Sequence, residues 1–334
     1  MKHKFDEIKA IIDEGIQQKA FPGGQCAFIY DNQVYIYRFG AKSINPFAPL
    51  TGDEVYDVAS LTKVIATSTI AHIFLEKGIL SLNTYVSDIL KDYPYPIQVR
   101  ELMAHSSGLP AYLANGNDLK TKQEVKDAIF QANPIYEKNT QIIYSCLGFI
   151  LLGYMLEKIG QMPLDKLAEK YIFKPLNMTH STYHPNPLVA APTEYRDDKV
   201  YQGLLTGQVH DGLAFAQGGI SGNAGLFSTV EDIALFIKAI LNETFVIGKK
   251  QLDLLFKSHI QITDTDTINR SLGWAKPAND VNSIITHTGF TGCNMWIDRE
   301  RKIGFVLLTN AVHPKRENNK IFPYRMKIWR LFYE

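Results

Sequence analysis

The sequence predicts an α/β plus all-α protein: an antiparallel β-sheet flanked by N- and C-terminal helices, with a helical domain inserted. Three observations carry this. Helical periodicity opens and closes the chain, strand-like runs lie just inside both ends, and helical spacing broken by Pro, Gly and Asn fills the middle.

Phe5, Ile8, Ile11, Ile12 and Ile16 recur at helical spacing, and Phe21-Pro22-Gly23-Gly24 stops that helix near Gln18. Strand-like runs Gln25 to Tyr30 and Val34 to Phe39 follow, joined as a hairpin through Asp31-Asn32-Gln33. A helix is expected from Ser60 to Lys77, ended by Gly78. Further helical segments are expected near 84–90, 97–104, 122–131, 146–159, 163–171 and 229–241. The last of these opens after Ser228-Thr229, with Glu231 and Asp232 in its first turn. Ser283 to His287, Cys293 to Asp298 and Ile303 to Thr309 read as a β-meander, and a closing helix is expected over about Asn318 to Phe332. The resulting division joins residues 1–80 and 245–334 in a sheet domain, with 81–244 mainly helical and the functional cleft between them.

Composition narrows the function classes. With 334 residues, 46% apolar and 21% charged, the chain is ordinary globular protein long enough for two lobes. Its 35 basic and 34 acidic side chains balance to +1 without a basic run, so no nucleic-acid partner is expected. Cys26, Cys146 and Cys293 are odd in number and far apart, which fits neither a disulfide framework nor a CxxC metal site. No window supplies the ~18 apolar residues of a membrane span. The first residues mix charge into their apolar positions, unlike a secretory leader, so the expected location is cytoplasmic.

Chemistry concentrates at Ser60-Leu61-Thr62-Lys63, preceded by the extended-looking Tyr56-Asp57-Val58-Ala59. A tetrad of this kind arises by composition about once in a chain of this length, so its context decides. At a helix start, Ser60 and Lys63 are i and i+3 and share a face. The helix field favours an alkoxide there, and a nearby amine of lowered pKa can take the serine proton. Tyr144-Ser145-Cys146 opens another helix, and His287-Thr288-Gly289 ends a strand.

These three elements, in this order, resemble the serine β-lactamase and penicillin-binding-protein superfamily, whose pattern is S-x-x-K, Y-x-N and K-T-G or H-T-G. The likeness is greatest to class C β-lactamases, D,D-peptidases and related carboxylesterases. Leu102 to Leu109, Val209-His210-Asp211, Gly218 to Ser228, Gly289 to Gly292, Trp296-Ile297-Asp298 and Leu307 to Asn310 resemble other family segments, so the likeness runs from about 20 to 330.

The resemblance implies that Ser60 becomes acylated, that Lys63 and Tyr144 share the base and acid work, and that the backbone N–H groups of Ser60 and Phe290 form an oxyanion hole. Cys146, His287, Thr288, Gly289 and Phe290 would contact a small-molecule substrate, without metal or cofactor. His287 stands where many relatives have Lys, and lacks a fixed positive charge at neutral pH. This weakens the usual anchor for a substrate carboxylate and favours esters or amides over efficient β-lactam hydrolysis. Cys146 stands where relatives carry Asn or Asp, and a thiol is a poor donor to a substrate amide.

The expected function is a serine hydrolase acting on a small ester or D-amino-acid amide. A penicillin- or peptidoglycan-fragment-binding module with little turnover, and a true β-lactamase, are the alternatives. His180 and His184 have metal-like spacing but lie among Asn177, Pro185 and Pro187, so a loop without metal is expected. The glycines at 218, 219, 222 and 225 are read as allowing close backbone approach to the site. His210-Asp211 is read either as bordering the pocket, as the resemblance implies, or equally as a hydrogen-bonded loop pair, and His105 is expected as a satisfied buried histidine.

Overall fold

The computed structural model describes residues 2–260, 268–277, 282–318 and 320–333. Its centre is an eight-stranded antiparallel sheet made from both ends of the chain. In chain order the strands are β1 (Gly23–Tyr30), β2 (Gln33–Ile44), β3 (Phe47–Pro49), β4 (Ile268–Arg270), β5 (Ala275–Pro277), β6 (Ile284–Thr288), β7 (Asn294–Asp298) and β8 (Ile303–Thr309). Their order across the sheet is β3-β2-β1-β8-β7-β6-β5-β4, so β1 and β8, from opposite ends of the sequence, pair at the centre.

Period-two alternation assigns each strand residue to one of two cores. Cys26, Phe28, Trp296, Phe305 and Leu307 pack with helix α1 (Lys2–Gln17) and the C-terminal helix (Ile321–Tyr333). Their neighbours Ala27, Ile29, Met295, Ile297, Val306 and Leu308 face the larger core shared with the helices of the middle of the chain. β8 is buried throughout because both faces are covered. Each fully buried Phe or Ile contributes about 1.5–3 kcal/mol over leaving it in water. The β1–β2 hairpin turns through Asp31 and Asn32, both at positive φ, the residue types that tolerate a two-residue primed turn.

The meander and the helices 122–131, 146–159 and 229–241 fall where expected, within a residue or two, as does the hairpin except that β2 runs on to Ile44, five residues past the expected Phe39. The C-terminal helix begins at Ile321, three residues later than expected. This start places Pro323 in the first turn, where its missing N–H breaks no helical bond. Strands β3, β4 and β5 were not expected. Each has three residues, too few for alternation to show. Among the described residues, no helix is long and apolar enough to cross a membrane.

Candidate active site

The site is built on a strained turn. Tyr56 and Asp57 form a short ladder with Ser228 and Phe227, after which the chain bends sharply through Ala59 at φ +48°. A non-glycine residue is uncommon there and must be held in place. Asp57 Oδ1 does so by accepting the Ala59 N–H at 2.8 Å. Helical turns then begin, with Leu61, Thr62 and Lys63 N–H donating to the carbonyls of Val58, Ala59 and Ser60. Residues Lys63–Ser68 are π-helical and Thr69–Glu76 α-helical, and Gly78 at φ +68° ends the run as expected.

This geometry brings the expected pair together. Lys63 is fully buried, and its Nζ donates to Ser60 Oγ at 3.0 Å, to the Asn223 carbonyl at 2.9 Å and to Cys146 Sγ at 3.5 Å. Three acceptors match the three N–H bonds of an ammonium. Burial pulls the Lys63 pKa down, but Cys146, Tyr144 and Asp211 outweigh it and leave it raised, opposite to the lowering expected from the sequence. The Asn223 carbonyl reaches Lys63 because the glycine-rich segment packs backbone to backbone on the helix Cys146–Gly160. A Cβ on Gly222 would lie 2.0 Å from the Phe149 carbonyl oxygen.

Ser145 caps that helix, its Oγ accepting the Gly148 N–H at 3.3 Å, and so fixes Tyr144 before it and Cys146 after it. The Tyr144 ring lies 5.0 Å from Lys63 Nζ, 4.6 Å from the His105 ring and 5.9 Å from the His287 ring. Burial pushes the Cys146 thiol up, against the pull of Lys63. His105 is buried but only half satisfied. Its Nδ1 accepts the Ser145 N–H at 3.0 Å, while Nε2 has no partner among the described residues.

The opposite wall is β6 and the turn after it. His287 is buried, and burial, then Arg270 and Lys63, hold its pKa well below the ordinary range, so the imidazole is neutral. Nδ1 donates to the Thr288 carbonyl at 3.0 Å, which leaves Nε2 as an acceptor without a partner among the described residues. Gly289 is required by close approach: a Cβ would meet the Val58 carbonyl oxygen at 2.5 Å, beside the Ser60 turn. Phe290 is exposed, its ring stacked on His210 at 5.5 Å and lying 5.7 Å from the guanidinium carbon of Arg316.

Between the walls lies a cleft of about 700 Å³ whose lining includes Ser60, Tyr144, Cys146, His287, Thr288, Gly289 and Phe290. His210 and Asp211 line it too. His210 Nε2 lies 2.9 Å from Glu194 Oε2, and Arg316 Nε donates to the same carboxylate at 2.9 Å.

Sequence reading missed the arginines. Arg270, buried, and Arg325, half-buried, also line the cleft, and each has an Nε without a partner among the described residues, although Arg325 Nη2 donates to the Gly289 and Cys293 carbonyls at 3.0 and 2.8 Å. Burial lowers both, Arg325 to about 10. Arg270 stands on β4 with its guanidinium carbon 5.4 Å from the Tyr144 ring. No motif marks it, because a three-residue edge strand carries no periodicity.

His184 Nε2 lies 3.1 Å from Asp165, and His180 packs near Asp232. No cluster of three metal-ligating residues occurs among the described residues.

Fold and site together define a serine-hydrolase-like protein. The chain belongs to the β-lactamase family, whose model matches residues 8–328. It is 28% identical to an N-acetylmuramyl-L-alanine amidase of Bacillus subtilis (strain 168), over 96% of this chain and 84% of that protein. It is also 28% identical to a putative D-alanyl-D-alanine carboxypeptidase of Escherichia coli O157:H7, over 90% of this chain and 82% of that protein. The fold is shared with an octameric penicillin-binding protein homologue from Pyrococcus abyssi (TM-score 0.79, 22% identity, 97% of this chain and 77% of that one). It is shared too with EstCE1, a hydrolase with promiscuous acyltransferase activity (TM-score 0.82, 16% identity, 100% of this chain and 99% of that one).

Proposed function

We propose that this protein hydrolyses a small amide or ester through an acyl-enzyme on Ser60, with a preference for substrates whose leaving group carries a carboxylate. The observation that carries the reading is the 3.0 Å contact between Ser60 Oγ and the buried Lys63 Nζ at the floor of the cleft. Ser60 Oγ attacks the carbonyl carbon, and its proton passes to the Lys63–Tyr144 pair. The oxyanion is met by the backbone N–H groups of Ser60 and Phe290, a contribution of about 2.7–4 kcal/mol per donor. The pair returns the proton to the leaving amine or alcohol. Water then attacks the acyl carbon, gives a proton to the pair, and Ser60 departs as the free hydroxyl.

The carboxylate preference rests on Arg270 and Arg325. His287 is neutral, but these guanidinium groups lining the cleft supply the fixed positive charge that the His-Thr-Gly strand lacks. This supports a D-amino-acid amide or peptide over a neutral ester, in keeping with relatives named as carboxypeptidase and amidase. Intact mass after incubation with a fluorophosphonate, for wild type and Ser60→Ala, tests the nucleophile. One adduct in wild type and none in Ser60→Ala is expected, while equal labelling of both removes Ser60 from the mechanism. A penicillin run in parallel, with release of its product followed over time, separates hydrolysis from slow trapping.

A further inference from the structure

We propose that Asp57 is a positioning residue that ties the Ser60 turn to both the His210 loop and the Phe290 turn, so that nucleophile and oxyanion donor are set by one buried side chain and its own carbonyl. The proposal rests on the reading of Ser60 as nucleophile and Phe290 N–H as oxyanion donor.

Asp57 is 1% exposed, and each of its three acceptors is committed to a different segment bordering the cleft. Oδ1 takes the Ala59 N–H at 2.8 Å and thereby holds the positive-φ residue immediately before Ser60. Oδ2 takes the His210 N–H at 2.7 Å. The backbone oxygen takes the Thr291 hydroxyl at 2.7 Å, one residue beyond Phe290. His210 carries the tie further, because its ring stacks on Phe290 and its Nε2 contacts Glu194, itself held by Arg316. Oxyanion geometry tolerates little error, since a misplacement of about 1 Å can cost about 100-fold in rate. A left-handed alanine, a loop and a β-turn have no intrinsic reason to keep a common register. Asp57 gives them one.

The chemistry of the group fits this role. Burial raises the Asp57 pKa, opposed by the N–H bonds of His210 and Ala59. A carboxylate can accept two N–H donors at once. The amide of Asn keeps one acceptor and turns a donor toward the second N–H.

Asp57→Asn and Thr291→Val are compared with wild type by fluorophosphonate labelling, separating maximal labelling rate from reagent affinity and counting labelled sites. Asp57→Asn is expected to lower the maximal rate about 10–100-fold, with affinity and final occupancy unchanged. Thr291→Val, which removes one tie, is expected to lower it about three- to ten-fold. A wild-type rate in folded Asp57→Asn overturns the proposal, as does a loss of occupancy at wild-type rate per site, which marks mere destabilisation. If Asp57→Asn does not fold, Thr291→Val decides, and a wild-type rate there overturns the proposal.

Hydrogen exchange reads the tie without catalysis. In Asp57→Asn, or in Thr291→Val should the first not fold, segments 57–62, 208–212 and 288–292 should lose protection together. Loss confined to the segment carrying the substitution overturns the proposal. Wild type that never labels at Ser60 overturns the serine-hydrolase reading instead, and the exchange result still stands for or against the tie.

Discussion

The two walls of the cleft are built on opposite principles. On the Ser60 side, Asp57 and Lys63 have their acceptors or donors committed within the protein. On the β6 side, His287 and Arg270 are buried and Arg325 is half-buried, yet each keeps a ring or guanidinium nitrogen without a partner among the described residues. Leaving such groups unsatisfied costs on the order of 1–3 kcal/mol each, so they persist only where something is gained. Under the proposed function, the committed wall would hold the Ser60 nucleophile rigidly, and the free nitrogens of the other would be kept for a substrate. Chemistry and recognition are thus separated across a few ångströms.

The largest effect that sharpens this contrast is expected at Lys63. Lys63→Met keeps most of the apolar stem but removes the charge bridging Ser60, Cys146 and Asn223. The rate of acylation by a p-nitrophenyl ester should fall about 10²–10⁴-fold. Retention of rate would place the proton transfer on Tyr144 alone.

On the other wall, the loss should depend on the substrate. Arg270→Met should lower kcat/KM about 10–100-fold for an amide with a carboxylate on its leaving group, the equivalent of one charge-assisted hydrogen bond. For a neutral p-nitrophenyl ester it should change little. Equal losses on both substrates would show that Arg270 orients Tyr144, over whose ring it lies, and would dissolve the division between the walls.

That division also separates what the sequence makes legible from what it hides. The Ser60 wall is local: S-x-x-K on one helix start gives a contact at i,i+3 whatever the rest of the fold does. The meander and hairpin are likewise legible, because strands of five residues or more show their alternation. Arg270 is different. It reaches the cleft only because β4 and β5 extend the sheet past β6, and three-residue strands give no pattern to read. The stretch Val209-His210-Asp211 was legible as a segment, but its bond to Asp57 spans 153 positions and has no sequence signature. His105 illustrates the same limit. Its burial was readable, whereas its place against Tyr144 depends on two helices meeting.

The smallest expected effect concerns the brace behind Phe290. Burial favours the neutral form of Glu194, but the hydrogen bonds and charges of His210 and Arg316 prevail and hold its carboxyl down at about 2. A carboxyl depressed in the folded state contributes stability that is complete above its unfolded pKa of ~4.3 and disappears as pH falls toward 2. Glu194→Gln should therefore lower Tm by about 2–4 °C at pH 7 and progressively less between pH 4 and pH 2. A gap between the two melting curves that stays constant with pH would assign the effect to packing rather than to charge. Because His210 and Arg316 both touch the Phe290 ring, the same substitution should slow fluorophosphonate labelling a few-fold at pH 7. Unchanged labelling with a lowered Tm would confine the brace to stability and leave the register of the oxyanion turn to Asp57 and Thr291.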